Sequence, residues 1–264
     1  MDSPYSTPPP RIVAADLARW ILHQDDDIVV VDKPGWVVCH PSKDGPWSSL
    51  VGALREYLGA PVLHLVSRLD RETSGVVVVA KHVTAAQRYQ MAMQWRRSDK
   101  IYLAILTGEL RQAQDVDASI ARDTVGPVAV KRRIAVAGEP GSEKATTRFE
   151  PLAVANGLTL ARVAPLTGRT HQIRLHAAHL GHALAGDKLY GADPSLYLDF
   201  VTHGWTEKLA AMLPLPRQAL HAARLRFHEP GLGDFRAPPP PDLIEFARAR
   251  MDLDLPALWA KAES

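Results

Sequence analysis

Short runs of β-branched residues, each stopped by glycine or proline, alternate with segments of helical spacing along most of this chain. Ile28-Val29-Val30-Val31 runs into Asp32-Lys33-Pro34-Gly35. This reads as a buried strand closed by a turn, because valine and isoleucine suit a pleated core and Pro-Gly ends it. Over residues 49–58, Leu50, Leu54, Tyr57 and Leu58 recur at helical spacing behind Ser49 and ahead of Gly59, which predicts a short amphipathic helix with both ends marked. Val76-Val77-Val78-Val79 is a second buried strand, entered through the polar turn Arg71-Glu72-Thr73-Ser74-Gly75. Asp70 is therefore expected on a loop held by a rigid strand. Residues 84–97 read as a helix with Thr84 as N-cap and Arg96 and Arg97 in its last turn, where they suit the helix dipole. Residues 101–106 read as a strand ended by Thr107-Gly108, on which Tyr102, Ala104 and Leu106 share a face.

Alternating segments at 144–152, 158–165 and 219–228 add further strands. Several connections between them are short, which favours antiparallel pairing over repeated βαβ units. The expected class is α+β, with a mixed, mainly antiparallel sheet flanked by helices and loops. At the N-terminus, Thr7-Pro8-Pro9-Pro10 can continue neither a helix nor a central strand, so residues 1–20 are expected to be a partly disordered arm. Residues 21–236 would then form the main domain. Pro238 to Pro241 punctuate the chain, and a helix capped by Asp242 opens an extension over 237–264 that packs on that domain. No internal repeat is visible.

The 264 residues, 46% of them hydrophobic, are enough for a sizeable core. No apolar run reaches the roughly 18 residues of a membrane span, and Met1-Asp2-Ser3-Pro4 lacks the basic, apolar start of a secretory signal. A soluble cytoplasmic protein without membrane contact is expected. The single cysteine, Cys39, excludes an internal disulfide and a multi-thiolate metal site, and reads as a small apolar filler. Lys and Arg total 31 against 29 Asp and Glu, so net charge does not announce a nucleic-acid partner. Its distribution says more, since basic residues gather at Arg96, Arg97 and Lys100, at Lys131-Arg132-Arg133, and along Arg162, Arg169, Arg174 and Lys188. Taken alone, each such group reads more readily as a solvated face.

Two polar clusters could carry chemistry. The first is Ser67-Arg68-Leu69-Asp70-Arg71-Glu72-Thr73-Ser74-Gly75, where a carboxylate on a tight loop is either catalytic or, the stronger reading for an isolated loop, a turn-former bonding nearby backbone N–H groups. The second runs from Pro165 through Gly168-Arg169-Thr170-His171-Gln172-Ile173-Arg174-Leu175-His176, a glycine turn opening a helix that ends near Leu180-Gly181. Ile173, Ala177 and Leu180 mark its buried face, and Arg174 sits at the edge of that face. An arginine there either reaches inward, where it needs a carboxylate whose charge it preserves, or snorkels to water. His171, His176, His179 and His182 invite a metal site, but no Asp or Glu lies at the flanking helical positions zinc motifs use, so no metal is expected. There is no nucleophilic serine elbow and no phosphate-binding G-x-x-x-x-G-K loop.

At these residues the chain resembles the RluA family of pseudouridine synthases. The matching pieces are Asp27-Ile28-Val29-Val30-Val31-Asp32-Lys33-Pro34-Gly35, Arg68-Leu69-Asp70 with Thr73-Ser74-Gly75, Lys100-Ile101-Tyr102, Gly168 through His176, and Gly186-Asp187-Lys188-Leu189-Tyr190-Gly191. They stand in family order from about residue 21 to 230. One departure is Ser67, where many members have histidine. The resemblance implies a pseudouridine synthase fold with a catalytic cleft across the sheet. It implies Asp70 as the catalytic aspartate, Tyr102 as the tyrosine against the target base, and Arg174 as the arginine paired with that aspartate. Arg68 would fill the gap left when the uridine is flipped out. The remaining expected RNA contacts are Arg71, Lys100, Arg169 and His171, with Lys131, Arg132 and Arg133 in the insertion around 115–133. No cofactor is implied, and the substrate is tRNA or ribosomal RNA. The family's optional N-terminal S4 domain is not expected, nor is any oligomer beyond a monomer.

Two other classes fit parts of the pattern. A non-catalytic RNA-binding protein on the same scaffold would share the basic clusters, and turnover alone separates it. An aspartate-dependent nucleoside glycosidase would need a second carboxylate as proton donor, whereas Glu72, near in sequence but following Asp70 in a turn, reads as facing solvent, and such an enzyme would release free uracil.

Overall fold

The β-branched runs at 28–31 and 76–79 lie side by side as neighbouring strands. The computed structural model describes residues 11–40, 44–191 and 193–263. Its first part runs α1 (Ala14–Trp20), β1 (Ile21–Gln24), β2 (Ile28–Lys33), α2 (Leu50–Leu58), β3 (His64–Leu65), β4 (Ser74–Ala80) and α3 (Val83–Gln94). Then follow β5 (Ser98–Thr107), β6 (Gln114–Asp117), β7 (Ile120–Arg122), β8 (Arg132–Ile134), β9 (Thr146–Ala155), β10 (Leu158–Pro165) and α4 (Gln172–His179). The chain closes with α5 (Ser195–His203), α6 (Glu207–Met212), β11 (Leu220–Phe227), β12 (Asp234–Arg236), α7 (Pro241–Met251) and α8 (Leu255–Glu263). The class is α+β, with helices flanking mixed, mostly antiparallel strands, as the short connections imply.

The chain divides into two compact units, one of Met1–Lys100 with His221–Pro238 and one of Ile101–Leu220 with Pro239–Ser264. In the first, β2 and β4 pair antiparallel from Ile28 opposite Ala80 to Lys33 opposite Gly75. Alternation along a strand then sends Ile28, Val30, Val76 and Val78 to the face covered by Ala85, Ala86, Tyr89 and Ala92 of α3. Val29, Val31, Val77 and Val79 point to the other face, under Leu50, Val51 and Leu54 of α2. Burial on both faces is why these strands read as unbroken valine runs, each side chain contributing roughly 1.5 kcal/mol or more. On its other edge β4 pairs in parallel with β11, Ser74 opposite His221 and Gly75 opposite Ala222. Gly75 has φ +113, and a Cβ there would stand 2.2 Å from the Ala222 carbonyl oxygen. Only glycine permits that approach.

Helix ends test the sequence reading. α2 is capped as expected: the Ser49 hydroxyl accepts the Gly52 N–H at 3.3 Å, and Gly59 is left-handed at φ +61. α3 corrects it. His82, not Thr84, is the N-cap, its Nδ1 accepting the Ala85 N–H, and the helix stops at Gln94, so Arg96 and Arg97 lie beyond its last turn. The first ten residues of the expected arm lie outside the described residues. Residues 14–20, within the same expected arm, are instead helical, with Leu17 fully buried.

In the second unit β5, β10, β9 and β6 follow one another antiparallel, and β7 pairs with β8 as a separate hairpin. Ile173 and Ala177 of α4 pack with Ala104, Leu106, Ala161 and Val163 of β5 and β10. Here too a cap is corrected, since Asp242 does not cap α7. Pro240 stands at the cap, and the Asp242 carboxylate takes Arg217 Nε at 2.6 Å and Nη2 at 2.9 Å. Among the described residues no helix is long and apolar enough to cross a membrane.

Candidate active site

In the first unit the turn between β3 and β4 carries Asp70, half-buried. Its backbone is held carbonyl by carbonyl. The Cys39 thiol donates to the Leu69 carbonyl at 3.5 Å, the Thr73 N–H to that of Asp70 at 3.1 Å, and the Lys33 ammonium to that of Arg71 at 3.2 Å. Lys33 is fully buried and also donates to the carbonyls of Pro34 and Val37, each at 2.9 Å. A buried ammonium is tolerated only when its donors are used. The loop's exit is fixed by Ser74, whose hydroxyl meets His221 Nδ1 at 3.0 Å while His221 Nε2 lies 3.3 Å from the Ala237 carbonyl. Because a carbonyl only accepts, Nε2 carries the proton and the Ser74 hydroxyl donates to Nδ1. Arg68 is exposed, and the Arg71 guanidinium lies 5.6 Å from the ring centre of Trp36.

Three parts of the second unit bear on chemistry. Tyr102, half-buried on β5 opposite Val163, packs against the cluster that includes Ile173 of α4. Arg174 is buried. Its Nε and Nη2 donate to the two oxygens of Asp187 at 2.7 and 2.9 Å, a bidentate pair. Asp187 also accepts the N–H groups of Leu189 at 2.9 Å and Tyr190 at 3.0 Å. Complete burial by itself would push the Asp187 carboxyl up, but the Arg174 guanidinium and these hydrogen bonds hold it below the usual carboxylate range. Gly186, at φ +75, turns the chain into this site where a Cβ would stand 2.2 Å from the Arg217 carbonyl oxygen.

The third part is the start of α4. His171 has φ +58, a conformation that costs a non-glycine residue about 1 kcal/mol, and its Nδ1 lies 2.9 Å from the Tyr190 hydroxyl. His176 is fully buried with both ring nitrogens engaged, Nδ1 to the Thr147 hydroxyl at 2.9 Å and Nε2 to the Ala118 carbonyl at 3.0 Å. Burial pulls its pKa down, so the ring is neutral and braces the helix. Among the described residues no group of three or more His, Cys, Asp or Glu is arranged to hold a metal ion.

The expected phosphate contacts divide. Arg133 forks Glu139 at 2.6 and 2.8 Å, Lys131 stands 3.6 Å from Asp123, and Arg169 donates to Glu143 at 2.8 Å. These cations already face carboxylates. Arg132 and Arg122, opposite each other on β8 and β7, line an open depression of about 430 Å³ with Thr124 and Gly141. The sequence assigned no role to Lys33, Asp187, Tyr190 or His221. Asp187 could have been sought from the rule that a buried guanidinium requires a carboxylate, whereas nothing in the local sequence marks His221.

A family model described as RNA pseudouridylate synthase matches residues 27–179, a span that holds Asp70, Tyr102 and Arg174. The ribosomal large subunit pseudouridine synthase D of Haemophilus ducreyi is 36% identical over 237 residues, covering 87% of this chain and 70% of that protein. Its counterpart in Yersinia pestis is 34% identical over 248 residues, covering 88% and 73%. Among solved structures, Human RNA Pseudouridylate Synthase Domain Containing 4 matches with a TM-score of 0.73 and 25% identity over 92% of this chain and 97% of that one. Human RNA Pseudouridylate Synthase Domain Containing 1 matches with a TM-score of 0.68 and 26% identity over 92% and 94%. With more than half its length matched by the family model and relatives above 30% identity along most of it, this chain belongs to the RNA pseudouridylate synthase family, RluA type, whose members are isomerases acting on RNA.

Proposed function

We propose that Asp70 is the essential carboxylate of this synthase, that Tyr102 supplies an aromatic wall for the uracil, and that Arg174 keeps the carboxylate ionised. The reaction breaks the N1–C1′ bond of uridine, turns the uracil, and joins C5 to C1′. C5 loses its proton and N1 ends protonated, so the product is an isomer and no redox partner or cofactor is consumed. A charged carboxylate, a stacking surface and a dry pocket serve those steps. The observation that carries the reading is the fastening of the Asp70 loop, whose carbonyls at 69, 70 and 71 each have a donor. A reacting side chain is placed accurately only where its backbone is over-determined.

The target is the RNA of the large ribosomal subunit, by analogy with the subunit that the relatives' names state. Arg68, Arg71, Lys100, Arg169, His171 and the 131–133 cluster contact that RNA, so binding weakens steeply with salt. The enzyme works as a monomer in the cytoplasm.

The test is Asp70→Asn. Incubated with ribosomal RNA and mapped for pseudouridine, the variant should give no product while its melting temperature stays that of the parent. Undiminished product would overturn the assignment, and modification of transfer RNA but not ribosomal RNA by the parent protein would redirect the target.

A further inference from the structure

Tyr190 is buried at 7% exposure and touches both ends of a short chain of groups. Its ring centre lies 5.1 Å from the Arg174 guanidinium carbon, and its backbone N–H donates to the same Asp187 carboxylate that Arg174 forks. Its hydroxyl accepts the Arg132 backbone N–H at 2.8 Å and lies 2.9 Å from His171 Nδ1, with the two rings edge to face at 5.6 Å. One side chain thus stacks on the buried arginine and ties down the first residue of β8.

A tyrosine needs only one partner for its hydroxyl when buried. This one has two, from elements far apart in sequence, and one of them is the strained His171 that opens the arginine's own helix. The β7–β8 hairpin turns Arg122 and Arg132 toward the open depression, whose two carboxylates, Glu139 and Glu143, are engaged by Arg133 and Arg169, and a phosphate drawn in between Arg122 and Arg132 would shift or settle the strands that carry them. The Arg132 N–H is the atom through which such a shift reaches Tyr190.

We infer that Tyr190 is a positioning residue linking the β7–β8 hairpin to Arg174, so that a substrate RNA's phosphates held at Arg122 and Arg132 set the guanidinium for reaction. This rests on the reading of Arg174 as part of the site. Grip on the RNA outside the reacting uridine is thereby turned into rate and not only into affinity.

The experiment uses the full chain, a ribosomal RNA hairpin substrate and single-turnover rates with enzyme in saturating excess. Tyr190→Phe keeps the ring over Arg174 and removes only the hydroxyl. Its saturated rate should fall on the order of tenfold, the scale of one buried hydrogen bond, with RNA affinity unchanged and the melting temperature lowered by no more than a few degrees. Removing both hairpin arginines (Arg122→Ala with Arg132→Ala) should lower the saturated rate of the parent protein several-fold. In the Tyr190→Phe background it should lower that rate no further, because the link is already cut. A Tyr190→Phe rate equal to the parent's, a loss confined to affinity or melting temperature, or losses that multiply in the combined variant would each overturn the inference. Arg174→Lys separates the two levels, because full activity there would overturn the reading of Arg174 itself, whatever Tyr190 does.

Discussion

Around residue 70 the chain is held by its backbone, with a thiol, an amide and a buried ammonium each engaging one carbonyl of the loop. Around residue 174 the same task, fixing one charged group, is done by side chains, with Asp187 forking a guanidinium that sits on a rigid helix. The difference teaches where each region is fragile. A loop shares its support among several modest bonds and loses them one at a time. A buried ion pair concentrates its support in one contact, so removing the carboxylate that forks the guanidinium takes away a large share of its compensation at a single stroke.

The largest expected effect is therefore Asp187→Asn. With Arg174 7% exposed, loss of the countercharge should destabilise the protein by about 3 kcal/mol, a fall of roughly 10 °C in melting temperature. Equal stability of variant and parent would show that Asp187 is not what compensates the guanidinium. A smaller loss is expected from Lys33→Met, which fills much of the same space but removes the donor shared by Pro34, Val37 and Arg71. About 2 kcal/mol is expected, and amide hydrogen exchange should quicken at residues 70–73 while α4 keeps its protection. Faster exchange in α4 as well would erase the contrast between the two regions.

The smallest effect sharpens the comparison from the strand beside the loop. Asp32, next to Lys33, has its pKa pushed from 3.8 to about 6 by burial, against the opposing pull of the Lys33 charge. The folded state then holds the proton more tightly than the unfolded chain, so stability is lost as pH rises from near 4 through 6. Replacing this carboxylate by the neutral amide in Asp32→Asn should stabilise the protein by about 1 kcal/mol at pH 8, after allowance for partial solvent exposure, and by nothing at pH 4. Denaturant midpoints at the two pH values decide it, and a gain of the same size at both would assign the effect to packing instead of charge.

Much of the fold was legible because burial leaves a compositional trace. The valine runs announced β2 and β4, and Ser49 and Gly59 bracketed α2 with side chains whose roles are purely local. What was misread involved distant partners or unusual donors. Asp242 looks like a cap until Arg217 claims it, and His82 caps α3 through a ring nitrogen, an acceptor outside the common capping set. β7, β8 and α6 are too short for periodicity to register. The sequence singled out Asp70, Tyr102 and Arg174 as candidate groups, but not what holds each in place. Lys33 donates to a carbonyl 38 residues away and Ser74 meets a histidine 147 residues away, separations that no local pattern encodes.

That last separation has a consequence for biosynthesis. A ribosome adding roughly 5–20 residues per second needs about seven to thirty seconds between Ser74 and His221. Throughout that interval the nascent polypeptide carries the aspartate segment without the parallel strand that finally clasps it. A chain stalled just before codon 221 should therefore carry the Asp70 segment translated but still unlatched, open to proteases and to chaperones.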